Sequence, residues 1–456
     1  MKTLIRGGTL VTEYESLRAD LLLEGEKIAA IGPELSCPEA RVIEAEGKLV
    51  FPGFIDGHTH MDLPVCATVT ADDFASGTAA ALLGGTTTIV DFATQEKGET
   101  LEQGLDNWHR KAEGKASCDY GFHLAISQWD RQAEADLPRI FRRGVTSFKL
   151  YMTYANQVTD RELLEVLLAL KPLGGIVGVH CENSGMIDVM QRQVKARGIT
   201  GPEGHPLSRP DEAEAEAVNR LLALARVADV PVIVVHLSSK KGLEVIRQAR
   251  EQGQQVYVET CPQYLHLTDR VFEGADEKEG RRYICSPPLR TGEDLAALWE
   301  ALDEGEIDLI STDHCSFTDA QKAAGQGDFT AIPGGMPGVE DRVRIMYHSW
   351  VAEDGAEPSR LVRVLAAQPA RLFGLYPRKG CLQVGSDGDL VLFDPNWEGT
   401  IRSDQCHNAA GYTPYEGWKI RGRVEEVFLR GHHVVSGGRL IAAGLGQYLP
   451  RSSCQL

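Results

Sequence analysis

His58 and His60 stand two residues apart at the end of Val50-Phe51-Pro52-Gly53-Phe54-Ile55-Asp56-Gly57-His58-Thr59-His60, an apolar run with strand character. In extended chain, residues i and i+2 leave the same face, so both imidazoles point one way and can grip one metal ion. Asp56 shares their parity and fits beneath them as a hydrogen-bonding partner of a ligand. A lone His-x-His is weak evidence, because two polar residues at a strand exit read the same way. What decides between the readings is whether other ligand types reach the same place.

Four more residues of that kind end apolar β-rich runs. Lys149 lies in Ser147-Phe148-Lys149-Leu150-Tyr151, His180 follows the run centred on Val177, and His236 closes Val232-Ile233-Val234-Val235-His236. Asp313 closes Ile307-Asp308-Leu309-Ile310-Ser311-Thr312-Asp313. Each has an ordinary reading alone: a hydrogen-bonded core histidine for His180 and His236, a helix cap for Asp313, a side chain reaching solvent for Lys149. Together, four histidines and an acid at strand ends read as a metal site. His109, His205, His266 and His348 do not share that placement and read as ordinary.

Lys149 fits this chemistry in one particular way. An ammonium beside divalent cations is disfavoured, so the neutral amine is favoured. A neutral amine adds carbon dioxide and becomes a carbamate, an anionic two-oxygen ligand able to bridge two cations. Four histidines, one carbamate and one aspartate suffice for two ions sharing a hydroxide. Imidazole with carboxylate-type oxygen suits zinc best; manganese and cobalt also accept such a set.

These residues need a scaffold that brings distant strand ends to one rim. Eight β-rich runs, centred on Phe54, Ile89, Leu124, Phe148, Val177, Val234, Val258 and Leu309, alternate with helical patterns from residue 51 to 376. That alternation predicts an α/β fold, a closed (β/α)8 barrel, whose active site lies at the C-terminal ends of its strands. Thr70-Ala71-Asp72-Asp73 and Ser208-Arg209-Pro210-Asp211 read as start signals for helices ending near Gly84 and Ala228. Residues 1–50 and 377–440 look alike, with short strands and glycine turns, and are expected to join as one small β-sandwich domain. Residues 441–456 remain as a tail.

The formal net charge of -18 over 456 residues argues against nucleic acid or an anionic membrane as partner. No apolar run approaches a membrane span, and the first residues do not read as a signal peptide. The 10 cysteines are scattered without a Cys-x-x-Cys pair, which predicts free thiols and a cytoplasmic protein.

The residues Gly57-His58-Thr59-His60, Ser147-Phe148-Lys149, His180, His236 and Ser311-Thr312-Asp313-His314 resemble the amidohydrolase superfamily. The match is closer to its dihydropyrimidinase/hydantoinase branch, phenylhydantoinase-like members included. It extends through Thr68–Phe74, Glu259-Thr260-Cys261-Pro262-Gln263-Tyr264-Leu265, Ser286-Pro287-Pro288-Leu289-Arg290, Gly338-Val339-Glu340-Asp341-Arg342 and Gly385-Ser386-Asp387-Gly388-Asp389. It covers nearly the whole chain. The resemblance implies a binuclear hydrolase that opens cyclic amides, 5-substituted hydantoins or dihydropyrimidines, to N-carbamoyl amino acids, often as a homotetramer. It implies His58, His60 and Asp313 on the more buried ion, His180 and His236 on the more exposed one, and carboxylated Lys149 between them. It gives Tyr154 the developing oxyanion and Ser286 the ring amide. The family usually has asparagine where Gly334 stands; that contact is largely a backbone one, so glycine can serve, with a looser loop. The loops Leu63–Ala67 and Thr153–Val158 are expected to set the exocyclic group, and the small Val65 and Cys66 suggest space for an aromatic one or neutral drift.

Three other readings stay open at this point. An allantoinase or dihydroorotase shares the scaffold, but dihydroorotase wants an arginine where Asp62 stands, and allantoinase tends to lack the tyrosine matched by Tyr154. A non-catalytic relative would have lost ligands that this chain keeps. A one-metal deaminase would need no Lys149 and would use a glutamate such as Glu182.

Overall fold

The computed structural model describes residues 2–455. Eight parallel strands form the barrel wall: β6 (Phe54–Thr59), β9 (Thr86–Thr94), β10 (Asp119–Ala125), β11 (Ser147–Tyr151), β12 (Ile176–His180), β13 (Val232–Val234), β14 (Val256–Thr260) and β15 (Leu309–Ile310). They pair in chain order, and each run named from sequence is a strand. Helices between them cover the outer face, so strands such as β10 are buried at every residue. Phe148 and Leu150 pack outward into the main core, which leaves Lys149 between them to face inward.

The seam between β6 and β15 is closed by side chains as well as backbone. Thr59 bridges to His314 in parallel register. Arg342, fully buried, donates to the carbonyls of Ile55 on β6 (2.7 Å) and Ile310 on β15 (2.9 Å). Asp56 accepts from the Thr312 hydroxyl at 2.7 Å and from the Thr312 and His58 backbone N–H groups. It therefore fixes the backbone of the His-x-His segment to the far side of the seam, instead of touching an imidazole as its parity suggested.

Strands from both termini form a second sheet of nine. From the N-terminal side come β1 (Lys2–Val11), β2 (Ser16–Glu24), β3 (Lys27–Gly32), β4 (Arg41–Glu44) and β5 (Leu49–Pro52). From the C-terminal side come β16 (Leu390–Thr400), β17 (Lys419–Leu429), β18 (His432–Ser436) and β19 (Arg439–Leu440). The two sets join where β5 pairs antiparallel with β16. Ile5, Leu21, Val50, Leu390, Leu392 and Phe428 enclose a core of their own. The tail then passes under the barrel: Leu449 donates its N–H to Tyr120 O (2.7 Å), and Arg451 Nη1 donates to Ser147 Oγ (2.8 Å). A two-strand hairpin, β7 (Pro64–Val65) and β8 (Thr68–Val69), follows the first barrel strand.

Two helix starts differ from the sequence reading. The helix Phe74–Leu83 is capped by Asp73 with Ser76, while Thr70 holds the Leu63 N–H at 3.0 Å. The helix Asp211–Ala228 has no side-chain cap; Ser208 Oγ donates to His205 O, and Arg209 is buried. In both places other hydrogen bonds took the hydroxyl that a cap would have used.

Candidate metal centre

His58 leaves the end of β6, Lys149 sits in β11, His180 ends β12, and His236 and Asp313 follow β13 and β15 closely. The structure brings all of them, with His60, to one mouth. His58 Nε2 and His60 Nε2 lie 3.1 and 3.0 Å from the same Asp313 Oδ1. The His180 and His236 rings are 4.5 Å apart, and His236 is 5.4 Å from His58, centroid to centroid. Ligand atoms of His58, His236 and Asp313 lie within 4.8 Å of one another. Phe92 forms the floor, packing on the His58 ring at 4.5 Å and under Lys149 Nζ at 4.9 Å.

Lys149 is 1% exposed, and its charge bears on all four imidazoles. Burial pulls its ammonium down to about 8, against the pull of Glu259 and Asp313 upward. Burial likewise lowers His60, His180 and His236, which favours the neutral ring that a metal needs. Burial acts the same way on His58, but Glu259 and then Asp313 outweigh it and raise that ring. Burial would raise the Asp313 carboxyl; His58 and His60 hold it well below the carboxylate range.

The donor set fits a metal. His60 Nδ1 and His236 Nδ1 are buried with no hydrogen-bond partner among the described residues, a costly state for polar atoms. Imidazoles crowded on one carboxylate, with ring nitrogens orphaned, are the ligand chemistry of a divalent ion. Strain points the same way. His236, Asp313 and Tyr154 have φ of 40°, 51° and 73°, a left-handed backbone that non-glycine residues rarely adopt without a compensating reason.

Two carboxylates support the imidazoles, a role the sequence reading assigned to neither; it named Glu182 only as the base of a deaminase. Glu259, inward at the end of β14, accepts from His58 Nδ1 (2.6 Å) and from the His236 backbone N–H (3.1 Å) through one oxygen, Oε1. Its strand-end position, the seventh in the series that contains Lys149 and His180, was the available signal. Glu182 meets His180 Nε2 at 2.7 Å and forms a buried ion pair with Arg209. That pairing holds its carboxyl well below the ordinary range, against burial, which alone would raise it. A carboxylate so committed is a poor general base, which disfavours the deaminase reading.

The second set of expected residues lines the same mouth. Tyr154 is 40% exposed, 5.1 Å from the His180 ring, with Ser286 and Arg209 close enough to act on its hydroxyl. Ser286 and Gly334 are neighbours: a Cβ built on Gly334 would lie 3.5 Å from Ser286 Oγ. His205, read as ordinary, donates from Nε2 to Cys285 O (2.8 Å), and the same nitrogen lies 3.5 Å from Ser286 Oγ.

A parallel barrel with imidazoles, a lysine and an acid gathered at the C-terminal strand ends defines a hydrolase of the metal-dependent barrel class. The family model described as "Amidohydrolase family" matches residues 49–434. The chain is 43% identical to the D-hydantoinase of Streptomyces coelicolor, over 100% of this chain and 99% of that one. It is 44% identical to the D-hydantoinase of Geobacillus stearothermophilus, over 99% and 97%. The crystal structure of dihydropyrimidinase from Brevibacillus agri superposes with a TM-score of 0.98 at 43% identity, covering 100% of this chain and 99% of that one. The chain belongs to the amidohydrolase family, in its hydantoinase branch. No helix among the described residues is long and apolar enough to cross a membrane.

Proposed function

We propose that the chain is a binuclear-metal hydrolase of 5-substituted hydantoins and dihydropyrimidines, opening the ring to an N-carbamoyl amino acid. The observation that carries the reading is the convergence of His58 and His60 on Asp313 beside His236, with Lys149 buried among the imidazoles. The names of the relatives, D-hydantoinase and dihydropyrimidinase, support the substrate class. His58, His60 and Asp313 would hold one ion, most favourably zinc, and His180 and His236 the other. Lys149 would serve both as N6-carboxylysine: its free amine would form an N–C bond to carbon dioxide and release a proton. When bound, the ions polarise the scissile carbonyl and bring the pKa of water to about 7.

The remaining work belongs to side chains. Ser286, through hydroxyl and backbone, and the Gly334 backbone hold the ring amide and present the carbonyl to the mouth. Asp313 takes the proton of the attacking water and returns it to the leaving ring nitrogen, so no proton need cross to bulk solvent. Tyr154 donates its hydroxyl proton's hydrogen bond to the oxygen that becomes negative.

The domain division expected from sequence, 1–50 with 377–440 against 51–376 and a tail at 441–456, stands as part of this reading, as does a cytoplasmic location, in keeping with 10 scattered cysteines and no Cys-x-x-Cys pair. So does a homotetramer: Val189, Leu207 and Val227 expose apolar side chains that a second copy can cover. A hydrolysis panel of dihydrouracil, 5-phenylhydantoin, allantoin and dihydroorotate tests the substrate class. Turnover of the first two supports it; turnover of allantoin or dihydroorotate alone overturns it.

A further inference from the structure

Lys322 is 1% exposed, deep beside the mouth, and no carboxylate pairs with it at ion-pair distance among the described residues. A buried ammonium without a counter-ion is costly, so its position calls for a return. Its Nζ donates to two backbone carbonyls, Ile284 O and Pro333 O, both at 3.1 Å. Those carbonyls belong to different loops. Ile284 lies two residues before Ser286, and Pro333 directly precedes Gly334. The loops are also joined directly, since the Gly335 N–H donates to Ile284 O at 2.9 Å.

We propose that Lys322 is a positioning residue for the substrate amide: its ammonium clamps the Ser286 loop to the Gly334 loop and fixes the spacing of the two. The proposal rests on the reading of Ser286 and Gly334 as the groups that hold the ring amide. The geometry explains how a chain with glycine at 334 keeps that wall in order. Gly334 has no side chain to anchor its loop, and the nearest atom to a Cβ there is Ser286 Oγ. The charge also acts through the peptide it touches. A cation on Pro333 O draws electron density from that peptide group, and the N–H on its other end is that of Gly334, which becomes a stronger donor.

The test is steady-state kinetics of Lys322→Met, which keeps the length and removes the ammonium, with metal content measured on the same samples. KM for 5-phenylhydantoin is expected to rise about tenfold, the loss of one aligned hydrogen bond, with a smaller change in kcat and unaltered metal content. Lys322→Gln, with one neutral donor left, is expected to recover part of the KM. Combined with Ser286→Ala, the KM effects are expected to fall short of their product, because both act on one wall. A lower melting temperature with unchanged KM, or KM effects that multiply in full, would overturn the clamp. Should Lys322→Met not fold, Lys322→Gln carries the same comparison. Failure of the wild-type protein to hydrolyse any hydantoin or dihydropyrimidine would strike the functional reading instead, and is seen before any variant is made.

Discussion

His58 Nδ1 lies 2.6 Å from Glu259 Oε1, and that same oxygen accepts the backbone N–H of His236. One carboxylate on β14 thus fixes the ring of a residue assigned to the first ion and the backbone of a residue assigned to the second. A proton held on Nδ1 leaves the Nε2 lone pair facing Asp313, where it could serve an ion. Because both contacts use Oε1, Glu259→Gln can keep the geometry and lose only the charge, whereas Glu259→Ala loses both. The alanine variant is expected to lose metal about 10–100-fold more readily in a chelator titration, and the glutamine variant much less. Equal metal retention in both would remove the role.

Lys149→Ala is expected to purify with little metal and no measurable turnover, since the proposed bridging ligand is gone. Metal analysis beside a hydantoin assay reads this directly. Reconstitution of wild-type apoprotein is expected to need bicarbonate as well as zinc, because the amine must add carbon dioxide. Reconstitution in carbon-dioxide-free buffer at full rate would remove the carbamate from the account.

Tyr154→Phe keeps the ring on His180 and removes one donor. kcat is expected to fall about 10²–10³-fold with metal content unchanged. An unaltered kcat would return Tyr154 to a wall residue of the mouth.

Arg342→Met tests the seam. The guanidinium joins β6 to β15 through two carbonyls, and its Nε stands 4.0 Å from buried Asp56. Removing it strands a carboxylate in the core, at a cost of about 3–5 kcal/mol. A clearly lower midpoint in thermal unfolding is expected, with the His-x-His segment loosened. A wild-type midpoint would show that the Thr59–His314 bridge and the Asp56–Thr312 hydrogen bonds close the seam without it.

The eight strands were legible because each is a short apolar run buried on both faces, a pattern that needs no partner to be seen. Lys149, His180, His236 and Asp313 were legible because strand ends in a parallel barrel share a rim. What stayed hidden depends on contacts between distant segments. Glu259 looks like any acid at a strand exit until β6 and β13 are placed on either side of it. Arg209 looks like part of a helix start until Glu182 claims it. Thr70 looks like a cap until the Leu63 N–H takes its oxygen. Asp56 had the right parity for an imidazole partner, but the open seam at Thr312 offered it two donors.

The most direct test is metal content and hydantoin turnover measured on one purified sample, before and after exhaustive chelation and again after adding zinc. Two divalent ions per chain, loss of turnover with the ions, and its return with zinc are the results expected of paired cations at this mouth. Full turnover of 5-phenylhydantoin by protein stripped of metal would contradict the account at its root.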